Sequence, residues 1–148
     1  MRVAGDSDPE NPEFVSEDEL AQWCATPGVE LIGRITDVPA FWAGVHIACL
    51  PSRGGEGLPR SMLEAAASGR PIVTTDAPGC GDFIADVAGI ITPREDIGTL
   101  AAALETLARD ATLRQRLSAG ARARIEAGYT VQHAADQASK AWVLGQRP

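Results

Sequence analysis

Short unbroken runs of apolar residues alternate along this chain with stretches in which apolar residues recur every three or four positions. The unbroken runs predict buried strands at residues 1–5, 29–32, 45–50, 71–75 and 89–92. The periodic stretches predict helices at residues 16–24, 37–42, 59–68, 82–85, 97–109, 111–126 and 130–146. Strands covered on both faces appear in a sequence as continuous apolar runs. The alternation therefore predicts an α/β fold, a Rossmann-like parallel sheet with helices on both faces.

The ends of several predicted helices carry clear signals. Ser16 followed by Glu19 is a capping box, and Asp37 is suited to cap the next helix with its carboxylate. Pro59 stands where a first helical residue is expected, and Gly69 closes that helix. These signals predict where each of the three helices begins or ends.

Length and charge narrow the class of protein. The chain has 148 residues, 45% of them hydrophobic, which suits one globular domain spanning residues 1–148. Its net charge of −7 arises in residues 1–37, which hold nine acids and two bases. We expect no nucleic-acid partner, because an acidic chain releases few counterions from nucleic acid. Five arginines of the C-terminal helices are balanced by nearby acids and predict a solvated helical face: Arg109, Arg114, Arg116, Arg122 and Arg124.

Cysteine usage and apolar stretches indicate the compartment. Cys24, Cys49 and Cys80 lie far apart and form no CxxC pair, which favours a reducing cytoplasm. Acids stand near the start of the chain, where a signal peptide would be apolar. The longest apolar run, residues 38–51, is too short to span a bilayer. We expect a cytoplasmic protein that reaches the inner face of the membrane only through a partner.

A pair of glutamates marks the candidate site. Ligands of parallel α/β sheets bind beyond the carboxyl ends of the strands, where residues 51–58 and 76–81 form glycine-rich loops. Glu56 lies in the first loop and Glu64 eight positions later, inside the predicted helix. The start of that helix exposes unpaired N–H groups and the positive end of a dipole, which suits a diphosphate.

The predicted helix at 59–68 has an apolar and a polar side. Its inward-facing residues are expected to be Leu58, Met62, Leu63, Ala66 and Ala67. The opposite side is shared by Arg60, Ser61, Glu64 and Ser68. Two interpretations stay open at this point: a carboxylate that binds a ligand, or a solvated pair between Arg60 and Glu64.

The segment HIACLPSRGGEGLPRSMLEAAASGRPIVTTDAPGC resembles the signature of the family-4 (group 1) retaining glycosyltransferases of the GT-B fold. Members of that family carry a proline-serine loop, two glutamates separated by seven residues in the form EG-L-P-x-S-x-L-E-A, and a T-D-x-P-G loop. The resemblance covers nearly the whole chain. VELIGRITDVPAFW is similar to the family's V-x-x-x-G-x-x-x-D-V segment, and RDATLRQRLSAGARARI to its penultimate helix. It implies the C-terminal, donor-binding half of a GT-B fold.

The resemblance implies a role for each matching residue. Glu56 would be the catalytic residue that touches hydroxyls of the transferred sugar, and Glu64 would hold the ribose hydroxyls. The turn of Gly33 and Arg34 would lie beside the nucleobase. One group of backbone amides would receive the oxygens of the sugar and the diphosphate, those of Gly57, Leu58, Arg60 and Ser61.

The resemblance also implies a reaction. A nucleotide-activated sugar would lose its diphosphate and pass, with retention, to a hydroxyl of a glycan or lipid-linked acceptor in polysaccharide biosynthesis. Fixed dipoles at the leaving group would supply the main stabilisation, so no cofactor and no metal are expected. The literal DxD motif at Asp6 and Asp8 stands in a segment typical of a solvated turn and predicts no metal site.

Three departures from the family pattern affect whether we expect this chain to catalyse transfer by itself. The chain starts after the strand, loop and helix that carry an Arg and a Lys in the family, and after the acceptor domain. The loop D-G-x-x-G is one residue shorter here, at residues 86–89, and Gly81 replaces a charged residue. We therefore expect an N-terminally truncated donor domain that self-associates or works with a partner subunit. Two alternatives are a nucleotide-sugar-binding module that catalyses no transfer and a degenerate fragment that serves only in folding or docking.

Overall fold

A computed structural model describes residues 1–8, 10, 14–54, 57–84 and 86–145. The chain divides into two compact units, residues 1–41 and residues 42–148. In the first unit, β1 (Arg2–Ala4) pairs in parallel with β2 (Glu30–Gly33), and α1 (Glu17–Cys24) stands between them in the sequence. The helix α2 (Val38–Ala43) begins at the end of this unit.

Local signals of the first unit are confirmed. Ser16 caps α1: its hydroxyl accepts the N–H of Glu19, whose carboxylate accepts the backbone N–H of Ser16. Asp37 accepts the N–H of Ala40 at 3.0 Å and so caps α2. Both helices therefore begin where the sequence predicts.

The second unit holds a three-stranded parallel sheet in the order β3-β4-β5. Its elements are β3 (Ala48–Leu50), α3 (Arg60–Ala67), β4 (Ile72–Thr75), α4 (Cys80–Ile84), β5 (Gly89–Thr92), α5 (Ile97–Arg109), α6 (Ala111–Gly128) and α7 (Val131–Gly145). The middle strand, β4, is buried along its whole length, which explains why it carries no charged residue.

Helices cover both faces of this three-stranded sheet. Ile72 and Val73 are adjacent in β4 and therefore point to opposite faces. Ile72 belongs to a core cluster with residues of α3, α4 and α6, among them Met62 and Phe83. Val73 belongs to a second cluster with residues of α5 and α6, such as Leu107. The predicted fold class, a parallel α/β layer with helices on both sides, is confirmed.

Two predicted boundaries differ from the structure. The third strand begins at Ala48, three residues later than predicted, because the N–H of Val45 bonds to the carbonyl of Trp42 in the turn that ends α2. Pro59 lies outside α3 as its N-cap, since its ψ of 135° is extended rather than helical. Its carbonyl nevertheless accepts the N–H of Met62 at 3.1 Å, which is the first bond of the helix.

The prediction of a wholly solvated arginine face on α6 is wrong. Arg114 donates to the carbonyls of Leu107 and Ala108 near the end of α5, at 2.6 and 2.8 Å. Arg124 donates in the same way to carbonyls near the end of α4. The C-terminal carbonyls of a helix lack intrahelical partners, so a cation on a neighbouring helix is drawn to them.

Candidate functional site

Two loops meet beyond the carboxyl ends of β3 and β4. Gly79, in the loop after β4, has a φ of +84°, and its backbone lies directly against that of Gly57 in the loop after β3. A Cβ at position 79 would stand 2.6 Å from the carbonyl carbon and oxygen of Gly57 and 3.1 Å from the nitrogen of Leu58. Only glycine fits here, for reasons of both space and backbone angle.

The loop after β3 is also anchored from β4. The hydroxyl of Thr74 donates to the carbonyl of Leu50 at 2.8 Å, and the hydroxyl of Thr75 donates to the carbonyl of Ser52. Both threonines are buried, so these bonds are shielded from water. The loop that carries the candidate site thus starts from a fixed backbone.

The start of α3 presents unpaired donors toward this junction. Pro59 offers no side-chain cap, whereas Ser16, Asp96 and Asp110 cap α1, α5 and α6. Within the described part of the chain, nothing accepts the backbone N–H of Arg60 or of Ser61. Together with the positive end of the helix dipole, these two groups can bind an anion.

Glu64 lies one turn into α3 on its solvent side. Its Oε1 accepts a hydrogen bond from Nε of Arg60 at 2.9 Å. The side chain of Arg60 is 91% exposed and that of Glu64 is 27% exposed. An exposed pair of this kind contributes only about 0.3–0.5 kcal/mol, so a ligand can replace Arg60 at little cost.

The opposite side of α3 packs into the core largely as predicted. Met62 and Ala66 are fully buried, and Leu63 and Ala67 are half-buried. Ala65 is also fully buried, although it was not among the predicted inward residues. This packing directs Glu64 away from the core.

Of the predicted site residues, the second unit brings five together around the start of α3: Gly57, Leu58, Arg60, Ser61 and Glu64. Gly57 is exposed and Leu58 half-buried. Glu56, the predicted catalytic residue, lies outside the described residues, as does Gly55. Its role remains a prediction.

Gly33 and Arg34 belong to the first unit. Gly33 ends β2 with a φ of +72°, and its carbonyl accepts the N–H of Gly5 at 3.0 Å. Arg34 is exposed and lines a shallow pocket of about 300 Å³ together with Arg2, Thr36 and Phe41.

The DxD segment is built as a surface turn. Asp8 accepts the N–H of Glu10 at 3.2 Å, and both Asp6 and Asp8 are exposed. Among the described residues, no three His, Cys, Asp or Glu side chains are grouped so that they could hold a metal ion. In the same part of the chain, no helix is long and apolar enough to cross a bilayer.

Two features of the site were missed by sequence reasoning. One is the contact of Gly79 with Gly57, for which the glycine of the T-D-x-P-G loop was the available signal. The other is Asp76, directly after β4, whose carboxylate accepts the N–H and Nε of Arg94, both at 3.1 Å. This bond ties the loop after β4 to the segment that follows β5.

Comparison with known proteins agrees with this arrangement. The strand order and the glycine-lined helix start define a Rossmann-like α/β domain. Residues 1–110 match the sequence profile of the family described as Glycosyl transferases group 1. The chain belongs to the group 1 glycosyltransferase family.

Relatives in bacteria share the sequence over most of this chain. The capsular polysaccharide biosynthesis glycosyltransferase CapM of Staphylococcus aureus is 27% identical over 133 residues, which are 89% of this chain and 34% of CapM. The phosphatidyl-myo-inositol mannosyltransferase of Mycobacterium leprae is 32% identical over 64% of this chain and 26% of its own. The glycogen synthase of Mycobacterium tuberculosis is 30% identical over 76% of this chain and 27% of its own. The chain spans about a third or less of these relatives.

Solved structures share the fold. Anabaena Alr3699/HepE in complex with UDP superimposes with a TM-score of 0.84 at 21% identity, over 96% of this chain and 40% of that one. The C-terminal domain of a group 1 glycosyltransferase, LpcC of Francisella tularensis, superimposes with a TM-score of 0.66 at 23% identity, over 78% of this chain and 60% of that one. These likenesses confirm the fold expected from the resemblance.

Proposed function

We propose that this chain is the donor-binding domain of a glycosyltransferase that transfers a sugar from a nucleoside diphosphate to a glycan or lipid-linked acceptor. The observation that carries the proposal is the start of α3. Two N–H groups that have no acceptor among the described residues, the helix dipole and a carboxylate one turn deeper lie together at the junction of two glycine loops. Membership of the group 1 family and the UDP in the HepE complex support the same conclusion.

We infer an order for the parts of the donor along α3. The diphosphate would accept the N–H groups of Arg60 and Ser61, where the dipole neutralises part of its charge. The Glu64 carboxylate would accept the ribose hydroxyls in place of Arg60. The amides of Gly57 and Leu58 would receive oxygens of the sugar and the diphosphate.

The remaining roles follow the family resemblance. Glu56 would contact hydroxyls of the transferred sugar, and the turn of Gly33 and Arg34 would lie beside the base. Transfer would proceed with retention. Fixed N–H dipoles would stabilise the leaving diphosphate without a metal or cofactor, because they need no reorganisation as charge develops.

The proposal also covers the partner of this domain and its location in the cell. We take residues 1–148 as one donor domain that acts with an acceptor domain or partner subunit, since the chain spans about a third of its relatives. All three cysteines are free, which supports a reducing, cytoplasmic location. A partner would bring the domain to the inner face of the membrane.

A second candidate function is a binding module that holds a nucleotide sugar and catalyses no transfer. The observation in its favour is that the described groups at the start of α3 suit binding of a diphosphate and a ribose, and binding alone requires no acceptor. A binding module and the donor domain of a transferase would both bind UDP. An assay of sugar transfer therefore distinguishes these two functions.

The backbone amide at position 60 offers a direct test. Arg60 is the first helical residue, and the residue before it is already extended, so a proline fits there without strain. R60P removes both the amide and the side chain, whereas R60A removes the side chain alone. Calorimetric titration with UDP should show R60P about 10- to 100-fold weaker than R60A, because a hydrogen bond to a charged group contributes about 1.5–3 kcal/mol. Equal affinities for the two variants would remove the helix start from the site.

A further inference from the structure

Arg124 on α6 holds the end of the short helix α4. Its Nε donates to the carbonyl of Phe83 at 2.9 Å, and its Nη2 donates to the carbonyl of Asp82 at 2.7 Å. A helix of five residues has few internal hydrogen bonds, so partners for its last carbonyls contribute much of its stability. The planar fork of a guanidinium suits two adjacent acceptors at once.

Aromatic contacts fix the direction of this guanidinium. The Cζ of Arg124 lies 5.8 Å from the centre of the Tyr129 ring. The Tyr129 ring meets that of Phe83 edge-to-face, with centroids 5.0 Å apart. Phe83 is itself 1% exposed and packs in the core beside α3. Arg124 is therefore held at the same place by its bonds to α4 and by the tyrosine beneath it.

The helix α4 connects this contact to the candidate site. It begins at Cys80, directly after Gly79, whose backbone abuts that of Gly57 and Leu58. The N–H of Cys80 bonds to the carbonyl of Ala77 at 3.0 Å, and both residues are almost fully buried. A displacement of α4 would therefore move Gly79, and Gly79 has no free space on the side of Gly57.

We propose that Arg124 is a positioning residue for the donor site. By holding the end of α4 it fixes Gly79, and through Gly79 it fixes the backbone of residues 57–58 at the entrance to α3. The proposal rests on the proposed function, in which these backbone groups receive the donor. Arg124 acts through this chain of contacts and does not itself touch the nucleotide.

Arg114 provides a matched control for the test. It lies on the same helix and donates to the last carbonyls of α5, a helix whose buried residues pack on the other face of the sheet. R124L and R114L each remove one cap of a helix end, and R124K keeps the charge and a contact with one carbonyl. The affinity of the 148-residue chain for UDP is measured by calorimetry. Hydrogen–deuterium exchange of the segment 57–63 and thermal melting are measured alongside.

We expect R124L and R114L to differ in UDP binding and in amide exchange but not in stability. R124L and R114L should lower the melting temperature to a similar extent, while only R124L weakens UDP binding, by about tenfold, with R124K between it and the wild type. R124L alone should also speed exchange of the Met62 and Leu63 amides, which bond to the carbonyl of Pro59. Equal exchange of residues 57–63, or equal UDP affinity, in R124L and R114L would overturn the proposal. If the wild type binds neither UDP nor any other nucleoside diphosphate, the proposed function fails, and the exchange comparison still decides whether Arg124 positions this backbone.

Discussion

The α-carbon of Gly79 lies so close to the carbonyl of Gly57 that a methyl group at position 79 would stand 2.6 Å from it. Gly79 belongs to the loop after β4 and Gly57 to the loop after β3, so one contact sets the spacing of both loops. We propose that the backbone amides of Gly57 and Leu58 bind the sugar nucleotide. Their positions therefore depend on Gly79, a residue that contributes no side chain.

We predict that G79A weakens UDP binding and lowers stability. The new methyl group must displace the backbone of residues 57–58, and overpacking of this kind costs about 1–3 kcal/mol. G28A is the control, because Gly28 has a φ of +83° and no atom within 4 Å of an added Cβ. Thermal melting and calorimetry compare the two variants. Equal losses of stability and unchanged UDP affinity in both would show that the contact has no part in binding.

We predict that E64A weakens UDP binding by about 1–3 kcal/mol, since hydrogen bonds from two ribose hydroxyls to a carboxylate are lost. E126A is matched to it, because Arg122 and Glu126 form an i,i+4 pair in the same order as Arg60 and Glu64. Calorimetric titration of both variants is the measurement, with melting curves as the check on folding. A UDP affinity of E64A equal to that of E126A would leave Glu64 as one half of a surface ion pair.

We predict that UDP binding survives EDTA. In the proposed site, the partial positive charge at the start of α3 would neutralise part of the diphosphate's charge, so we expect no need for a divalent cation. The variant carrying both D6N and D8N should bind UDP as the wild type does, because these exposed carboxylates serve a surface turn. Titrations in EDTA and in manganese or magnesium test this. A strict need for the cation, lost with the two aspartates, would replace the proposed geometry with a metal site.

The strands and helices were predictable because the residues that determine each of them lie close together in the sequence. The β4 segment carries no charged residue because the strand is buried on both faces, and its two threonines donate their hydroxyls to backbone carbonyls. Asp96 and Asp110 cap their helices through residues three positions away. The resemblance around Glu64 in turn located the candidate site, since a helix start and a glycine loop are adjacent in sequence.

Contacts between distant segments were not predictable from the same patterns. The burial of Ala65 depends on the neighbours of α3, and the backbone approach of Gly79 to Gly57 depends on how two loops fold. Arg124 appears in the sequence as one of several arginines on an amphipathic helix. Its partners are backbone carbonyls 41 and 42 positions away, and a carbonyl carries no signal in a side-chain pattern.

The last prediction is that the 148 residues alone bind UDP weakly and transfer no sugar. The chain spans about a third of its relatives, and the proposed site accounts only for groups that would bind the donor. Without an acceptor held against the donor, the reaction loses up to roughly 7–11 kcal/mol of proximity advantage. An open site also leaves the departing diphosphate in water, where the dipoles of α3 stabilise it far less. Release of UDP and of glycosylated product is measured from several sugar nucleotides, with and without a separately expressed acceptor half. Turnover by these residues alone would show that positioning by a second domain is dispensable. Turnover only after the acceptor half is added would establish that this chain binds the donor and a second domain binds the acceptor.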